Sequence, residues 1–249
     1  MTLTDFNAFQ LMQGIFGLLW VLFAIIVGIR ILMKALELKR NDLIGVGLTY
    51  IFVSSAWWGV VIQFIYFAIA PNPLPDALYL LIANAFIPIG LLCWMYAFAE
   101  TIIPFNKKIT LIITSIFVVA WESVLLVLIF TDNVGLVGEI SQTNPLDSSH
   151  GDIMRYFIIA AIVIFVGTGI YFSYKSMTLE QPEIKWKGRF LLIAWISFAI
   201  GAILDAIIHT HTELTLILTR IILITSSIEY YLGFFLPPKL KEILIEKRE

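Results

Sequence analysis

ELTLILTRIILITSSIEYYLGFFLPP, residues 213–238, combines the length of a membrane-spanning helix with two charges in its interior. At ~1.5 Å per helical residue, its apolar part can cross ~30 Å of hydrocarbon. The interior charges belong to Arg220 and Glu229. A charge at that depth costs at least ~2.5–3.5 kcal/mol unless it meets a partner or water. We therefore predict that both side chains face other helices and that this helix forms the inner wall of a bundle.

The composition of the whole chain agrees with this prediction. Of 249 residues, 60% are hydrophobic and 14% are charged, and the mean hydropathy is +0.94. Such values exclude a soluble domain of this size and predict a multi-pass protein of the cell membrane. A single cysteine excludes an intramolecular disulfide framework.

Apolar runs of span length occur seven times along the chain. They lie near residues 9–33, 43–70, 76–103, 109–131, 153–174, 188–209 and 213–236. Basic residues concentrate in the first, third and fifth loops and in the tail, which places the N-terminus outside and the C-terminus in the cytoplasm. The predicted fold is all-α: a polytopic seven-transmembrane helix bundle over residues 1–238, followed by a short amphipathic cytoplasmic tail at 239–249.

Two features along this bundle suggest how a pocket could form. Pro88 predicts a bend in the third helix, where a cavity can open. The longest loop, residues 131–152, is acidic and has no helical periodicity. It could fold over the outer mouth of the bundle as a lid, or it could remain a mobile solvated loop. Long polar loops are commonly mobile, which favours the second interpretation.

The first three and the last three helices show a weak self-similarity. It aligns Gly28 with Gly169 and Asn84 with Arg220. One interpretation is a 3+1+3 internal repeat, in which the fourth helix restores a parallel orientation for the second half. The other is that apolar helices with basic ends resemble each other in general.

Buried polar residues lie at a common level in the outer half of the predicted bundle, and tryptophans flank them. The candidate ligand-binding residues are Arg220, Glu122, Asn84, Asp205, Gln63, Trp57 and Trp121. We predict an ion pair between Glu122 and Arg220, with Asp205 nearby, because a charge-assisted hydrogen bond offsets the cost of a buried guanidinium. A ligand pocket and a purely structural network both fit this layer.

A second charged layer lies near the cytoplasmic ends of the helices. There we predict a structural ion pair between Glu229 and Arg30, which would join the seventh helix to the first. Charges near helix ends can reach the interface and pair without a further function.

Several chemistries find no support in the sequence. His209 and His211 stand near Asp205 and Glu213, but residues two apart point away from each other on a helix, so no metal site is predicted. A retinal Schiff base needs a lysine in the middle of a helix, and every lysine lies in a loop or at a helix end. We therefore expect no cofactor. Without a catalytic triad or a phosphate-binding loop, we also expect no enzyme.

Four runs carry a resemblance to known proteins: LIGVGLTYIFVSSAWW, IANAFIPIGLLCWMYAF, KGRFLLIAWISFAIGAILDAII and IEYYLGFFLPPKLKEIL. Over nearly the whole chain they resemble a group of archaeal seven-helix membrane proteins of the Asgard type. More distantly, the third helix with its central proline and the GFFLPP ending are similar to the N-terminal seven-helix sensor module of histidine kinases. The resemblance implies a sensor-like bundle with a partner for its output, and it supplies no functional residues.

The leading prediction is a receptor-like, sensory seven-helix membrane protein. It would bind a small or lipid-like ligand in the outer polar and aromatic layer and signal through a cytoplasmic partner. The alternative is a small solute transporter of 3+1+3 architecture, and a third class is a lipid-handling enzyme or scramblase. The expected partners are the lipid bilayer and a cytoplasmic signalling protein, and no nucleic acid.

Overall fold

The computed structural model describes residues 3–207 and 212–245. It is 82% helical, and seven helices in these ranges are long and apolar enough to cross a membrane. The spans are Ala8–Leu38, Asn41–Tyr66, Asp76–Ile102, Pro104–Phe130, Asp152–Thr178, Pro182–Asp205 and Glu213–Phe234. The predicted all-α seven-helix bundle is therefore confirmed. His209 and His211 lie outside the described residues.

Local sequence explains where the first and seventh spans begin. The Asn7 side chain accepts a hydrogen bond from the Gln10 backbone N–H at 2.9 Å, and the Asn7 N–H donates to Gln10 Oε1 at 3.0 Å. Thr212 and Thr215 form the same reciprocal cap before the seventh span. Each cap satisfies two backbone donors that a helix start leaves without partners.

The second and third spans are each broken near the middle. The second consists of helices Asn41–Val53 and Trp58–Tyr66, joined by the 3₁₀ turn Ser54–Trp57. The third consists of helices Asp76–Asn84 and Ile87–Ile102. Pro88 has no N–H to donate to the carbonyl of Asn84 and its ring crowds that carbonyl, so the predicted bend becomes an interruption of the helix.

The two breaks pack against each other. The ring of Phe86, in the break of the third span, stacks on Phe52 at 5.9 Å and meets Trp58 at 5.1 Å. A methyl group at Gly90 would approach Phe52 Cβ to 3.0 Å. The irregular backbone of both spans is thus covered by protein, as backbone at membrane depth must be.

The spans form two rows that close into a ring. The first three spans pack side by side, and so do the last three, while the first packs against the seventh and the third against the fifth. Trp94 Nε1 donates to Thr168 Oγ1 at 2.7 Å across the third and fifth spans. The fourth span is peripheral and packs mainly against the third. The two rows have equivalent neighbours. If the first, second and third spans exchange places with the fifth, sixth and seventh, the same pairs of these six spans remain in contact.

Glycines allow the closest approaches within each row. A methyl group at Gly28 would lie 2.9 Å from the carbonyl oxygen of Gly47, between the first and second spans. One at Gly169 would lie 2.3 Å from the Trp195 ring, between the fifth and sixth spans. Small residues at such crossings bring neighbouring helices into close van der Waals contact. Gly28 and Gly169, aligned in the sequence, thus both lie where two neighbouring spans pack closely.

The loop between the fourth and fifth spans is a folded lid, which we define as residues 131–151. Its strands Gly138–Ile140 and Ser148–His150 form an antiparallel pair. Val137 and Leu146 are fully buried. The loop is therefore folded against the bundle, as the interpretation as a lid predicted, rather than fully solvated. Burial of a few apolar residues anchors the loop to the bundle. Because most of the loop is polar, its overall composition does not reveal them.

Two glutamines of the first span hold the lid. Gln13 Nε2 donates to the Leu146 carbonyl at 3.2 Å, and Gln13 Oε1 accepts from Asn144 Nδ2 at 2.6 Å. Gln10 Nε2 donates to the Thr143 carbonyl at 3.3 Å. The lid thus covers the bundle end where the first span begins, which we call the lid face.

The opposite end of the bundle carries most of the basic residues, and we call it the basic face. There the helix Pro238–Leu244 follows the seventh span. Lys241 Nζ lies 2.9 Å from Glu183 Oε2, and Lys187 Nζ lies 2.7 Å from Glu183 Oε1. The tail is thereby linked to the start of the sixth span.

We expect Gln13→Ala to loosen the lid without unfolding the bundle. The change removes two hydrogen bonds, which lowers the local stability of the lid by about 1–3 kcal/mol. Hydrogen exchange should then lose protection at residues 141–147, while the spans keep theirs. The lipid-facing change Leu22→Ala on the same helix serves as the control. Unchanged protection of the lid in Gln13→Ala would show that Gln13 does not hold it.

Candidate functional site

The seventh span buries a guanidinium in the interior of the bundle. Arg220 is 3% exposed, and its Nη1 donates to Asp205 Oδ2 at 3.1 Å. Trp57 Nε1 donates to the same carboxylate oxygen at 2.7 Å. The guanidinium carbon lies 5.9 Å from the centre of the Trp57 ring, within range of a cation–π interaction. We call Arg220, Asp205 and Trp57 the Arg220 cluster.

Three separate spans position the cluster. Asp205 lies in the last turn of the sixth span, and Arg220 lies about two turns into the antiparallel seventh. Trp57 ends the 3₁₀ turn that breaks the second span. Its ring packs edge-on against Trp20 of the first span at 5.5 Å. The cluster is therefore tied to both rows of the bundle.

The predicted ion pair between Glu122 and Arg220 is wrong. Asp205, predicted to lie nearby, is the partner that the structure shows. Glu122 makes no ion pair with any described residue, and its buried Oε1 has no hydrogen-bond partner among them. The fourth span packs mainly against the third, so Glu122 does not face the seventh span across a common interior.

Other candidates from the sequence have local roles. Gln63 is fully buried, and its Oε1 accepts from the Leu74 N–H at 2.9 Å, which braces the turn after the second span. Asn84 Nδ2 donates to the Leu80 carbonyl of its own helix at 2.8 Å. Trp121 contacts Phe157 of the fifth span at 5.5 Å. Their hydrogen bonds and ring contacts in the described part of the chain do not join them to the Arg220 cluster.

Several buried polar groups in the half of the bundle nearest the lid lack hydrogen-bond partners in the described part of the chain. Among the described residues, several buried side-chain atoms have no hydrogen-bond partner within the protein. They include Arg220 Nε, Asn84 Oδ1, Gln63 Nε2, Ser55 Oγ and His150 Nδ1. A buried polar atom without a partner costs about 1–3 kcal/mol. Such a concentration is typical of a place where a polar molecule binds.

Two residues that the sequence did not single out extend the site to the lid. Tyr79 of the third span is 1% exposed; its hydroxyl faces Ser148 of the lid and lies within electrostatic range of Asp205 and Arg220. His150 of the lid lies within range of Asp205. No sequence pattern distinguishes Tyr79 from the many other aromatic residues of the chain, and His150 belonged to a segment predicted to be mobile.

The lid environment changes the titration of His150. Burial lowers the pKa of the His150 imidazole, and the charge of Arg155 lowers it further, while Asp205 acts in the opposite direction. The closed lid therefore favours a neutral imidazole. The imidazole is coupled to the Arg220 cluster through the charge of Asp205.

Aromatic rings fill the bundle between the Arg220 cluster and the basic face. Tyr230, ten residues beyond Arg220, stacks on Tyr50 with ring centres 4.3 Å apart. Trp94 and Trp195 lie 4.9 Å apart. We call these four residues the aromatic stack. It separates the Arg220 cluster from the basic face.

The predicted ion pair between Glu229 and Arg30 is also wrong. Arg30 is exposed on the first span, and in the described ranges neither residue forms an ion pair with the other. Glu229 lies against Ser197 of the sixth span. The seventh span contacts both the first and the sixth spans, but its Glu229 side chain faces the sixth.

The described residues include no group of three or more His, Cys, Asp or Glu side chains placed to hold a metal ion. His209 and His211, weighed as ligands in the sequence, lie outside the described residues.

No protein-family model matches the chain, and the curated proteins include none with significant similarity to it.

We expect Asp205→Ala to destabilise the protein far more than Glu122→Ala does. Loss of the Asp205 carboxylate leaves a buried guanidinium unpaired, which costs about 3–5 kcal/mol in the free energy of unfolding. Glu122 forms no ion pair with a described residue, so Glu122→Ala should change that free energy by less than about 1 kcal/mol. Reversible unfolding in mixed micelles measures both. Equal losses would contradict the assigned pairing.

The lid should loosen as the pH falls below about 6.5, the usual pKa of histidine. Because the folded pKa of His150 is lowered, the open lid binds the proton more readily than the closed lid. The stability of the lid is thus complete above that pH and decreases below it. Hydrogen exchange at residues 138–150, corrected for its intrinsic pH dependence, measures this. His150→Gln should remove most of the change; an identical pH dependence in that variant would refute the assignment.

Proposed function

We propose that this multi-pass membrane protein is a receptor-like sensor that binds a small or lipid-like ligand at the Arg220 cluster beneath the lid. Its output would pass through a partner at the basic face. The observation that carries this proposal is a buried guanidinium with one carboxylate partner and an Nε–H to which no described residue offers an acceptor. The proposal involves no chemical step and no cofactor.

The chemistry of the cluster indicates what the ligand must offer. Asp205 neutralises Arg220 and orients its planar fork, so the Nε–H can donate to a carbonyl or carboxylate oxygen of the ligand. The Trp57 ring lies beside the guanidinium, and Tyr79 would add a second aromatic contact for the ligand. A site of this kind, with few polar groups and aromatic walls, is typical of small-molecule pockets.

Access to the cluster requires motion of the lid. In the closed arrangement Arg220 is buried and Tyr79 faces the lid. The lid is held to the first span by hydrogen bonds from Gln10 and Gln13. Side-chain hydrogen bonds of this type contribute about 0.5–1.5 kcal/mol each. Opening the lid would also expose Val137 and Leu146, at about 1.5–3 kcal/mol each. The ligand must therefore bind the open arrangement more tightly by the sum of these costs.

The seventh span provides a route for the output. It carries Arg220 toward the lid face and Tyr230 in the aromatic stack, and it leads into the helix Pro238–Leu244 at the basic face. A shift of this span would alter ring contacts in the stack and the contact between Lys241 and Glu183. The resemblance to sensor modules of histidine kinases points to the same kind of output.

One observation favours the alternative of a small solute transporter. The neighbour pattern of the spans is unchanged when the two rows are exchanged, as a 3+1+3 repeat requires. Transport would then need the aromatic stack to separate, because it fills the bundle between the Arg220 cluster and the basic face. A sensor needs only a change of contacts in this stack.

The proposed site predicts ligand-dependent stabilisation that depends on the guanidinium. Thermal unfolding is measured with small carboxylates, amino acids and short-chain lipids; a ligand at 100 times its Kd stabilises by about 2.7 kcal/mol. Arg220→Lys keeps the charge but loses the Nε–H and the planar fork, so it should weaken binding at least roughly tenfold. Glu122→Gln is the matched control and should bind normally.

A second variant separates binding from folding. Replacing the pair together, as Arg220→Met with Asp205→Leu, removes the charges without leaving one unpaired, and such exchanges are often neutral for stability. This variant should fold and fail to respond to the ligand. A response equal to that of the native chain would exclude the cluster as the site. Counterflow in proteoliposomes distinguishes the alternatives, because uptake of labelled ligand would establish transport.

A further inference from the structure

A second binding feature lies on the outer surface of the bundle, away from the Arg220 cluster. It is a groove of about 500 Å³ between the second, third and fourth spans. Its walls include Ile44, Leu48, Leu92, Cys93 and Leu111. These residues lie in the halves of their spans nearest the basic face. The groove therefore faces the hydrocarbon of one leaflet.

Helix contacts explain why the groove exists. A methyl group at Gly45 would lie 2.7 Å from the Cys93 carbonyl oxygen, so the second and third spans touch at its floor. The fourth span carries only Leu111 and Ser115 to the opposite wall. The side chains between the three spans do not fill the space, and the apolar walls suit a hydrocarbon chain.

The mouth of the groove is positively charged. The loops and helix ends beside it carry Lys39, Arg40, Lys107 and Lys108 against Asp42 and Glu100, which leaves two net positive charges. Arg40 forms an ion pair with Asp42. Lys107 forms an ion pair with Glu100, and its Nζ lies 4.5 Å from the ring of Tyr96 in the groove wall. Helices Asn41–Val53 and Lys107–Phe130 also begin here without side-chain caps, which leaves backbone N–H groups at the mouth able to donate to an anion.

The mouth also has the character of a membrane interface. Phe105, in the loop between the third and fourth spans, is fully exposed. Tyr96 of the groove wall belongs to one of the two residue types, Trp and Tyr, that are enriched at the level of the lipid headgroups. A chain lying in the groove would thus place its headgroup beside the basic residues rather than in hydrocarbon.

We propose that this groove binds an anionic phospholipid, with one acyl chain along the second, third and fourth spans and the phosphate at Lys107, Lys108 and Arg40. Basic sites between spans are suited to anionic headgroups because each lysine or arginine near the surface attracts them. A second copy of this chain fits less well, since it would bring another basic face to the same mouth.

The single cysteine of the chain allows a direct test, because Cys93 lines the groove and is partly accessible. The full chain in detergent micelles receives dioleoyl phosphatidylglycerol or dioleoyl phosphatidylcholine. Alkylation of Cys93 by N-ethylmaleimide is followed by intact mass spectrometry. Bound anionic lipid should slow the alkylation roughly threefold or more relative to the zwitterionic lipid, because attraction to the basic mouth increases its occupancy.

Two controls locate the effect. In Cys93→Ala with Ile170→Cys, the thiol faces lipid at a similar depth on the fifth span, and both lipids should give the same rate. In Lys107→Gln with Lys108→Gln, the difference between the lipids at Cys93 should disappear, with thermal unfolding as the check on folding. Equal protection by both lipids would overturn the anionic specificity. Absence of protection by either lipid would overturn the site itself.

Discussion

The need to neutralise one buried guanidinium organises the interior of this bundle. Arg220 cannot face lipid at an acceptable cost, and the structure offers it the Asp205 carboxylate and the Trp57 ring. Because the three residues come from the seventh, sixth and second spans, their contacts link both rows of helices at one level. An ion pair that is buried in this way contributes less to net stability than to the choice of one arrangement over others.

The lid and the aromatic stack give this interaction its setting. The lid is folded because Val137 and Leu146 are buried and because Gln13 satisfies polar groups of the loop. On the other side, Tyr50 and Tyr230 close the bundle with a stacked pair. The Arg220 cluster thus lies between two closures that shield it from water, where each hydrogen bond and charge has a larger effect than it would have in water.

Sequence patterns predicted the spans and a bend at Pro88 because both depend on local properties, namely apolar length and a missing N–H. They also predicted that Arg220 needs a carboxylate, but they selected Glu122. Counting residues along a helix gives the depth of a side chain, and Glu122 has a suitable depth. Depth alone does not give the direction in which the side chain points or the identity of the neighbouring helix. Asp205 is the partner because the sixth span packs against the seventh, whereas the fourth packs mainly against the third. The pair of Glu229 with Arg30 failed for the same reason.

The sequence by itself determined that this is a seven-helix membrane protein with charges that must be shielded from lipid, since hydrophobic length and the cost of a buried charge act on each segment separately. Only the tertiary structure decided which residues meet. The order of helix neighbours places the fourth span outside the ring, and the burial of a few apolar residues turns a polar loop into a lid over Tyr79 and the Arg220 cluster. These outcomes depend on contacts between residues far apart in the chain, where many combinations satisfy the same local pattern.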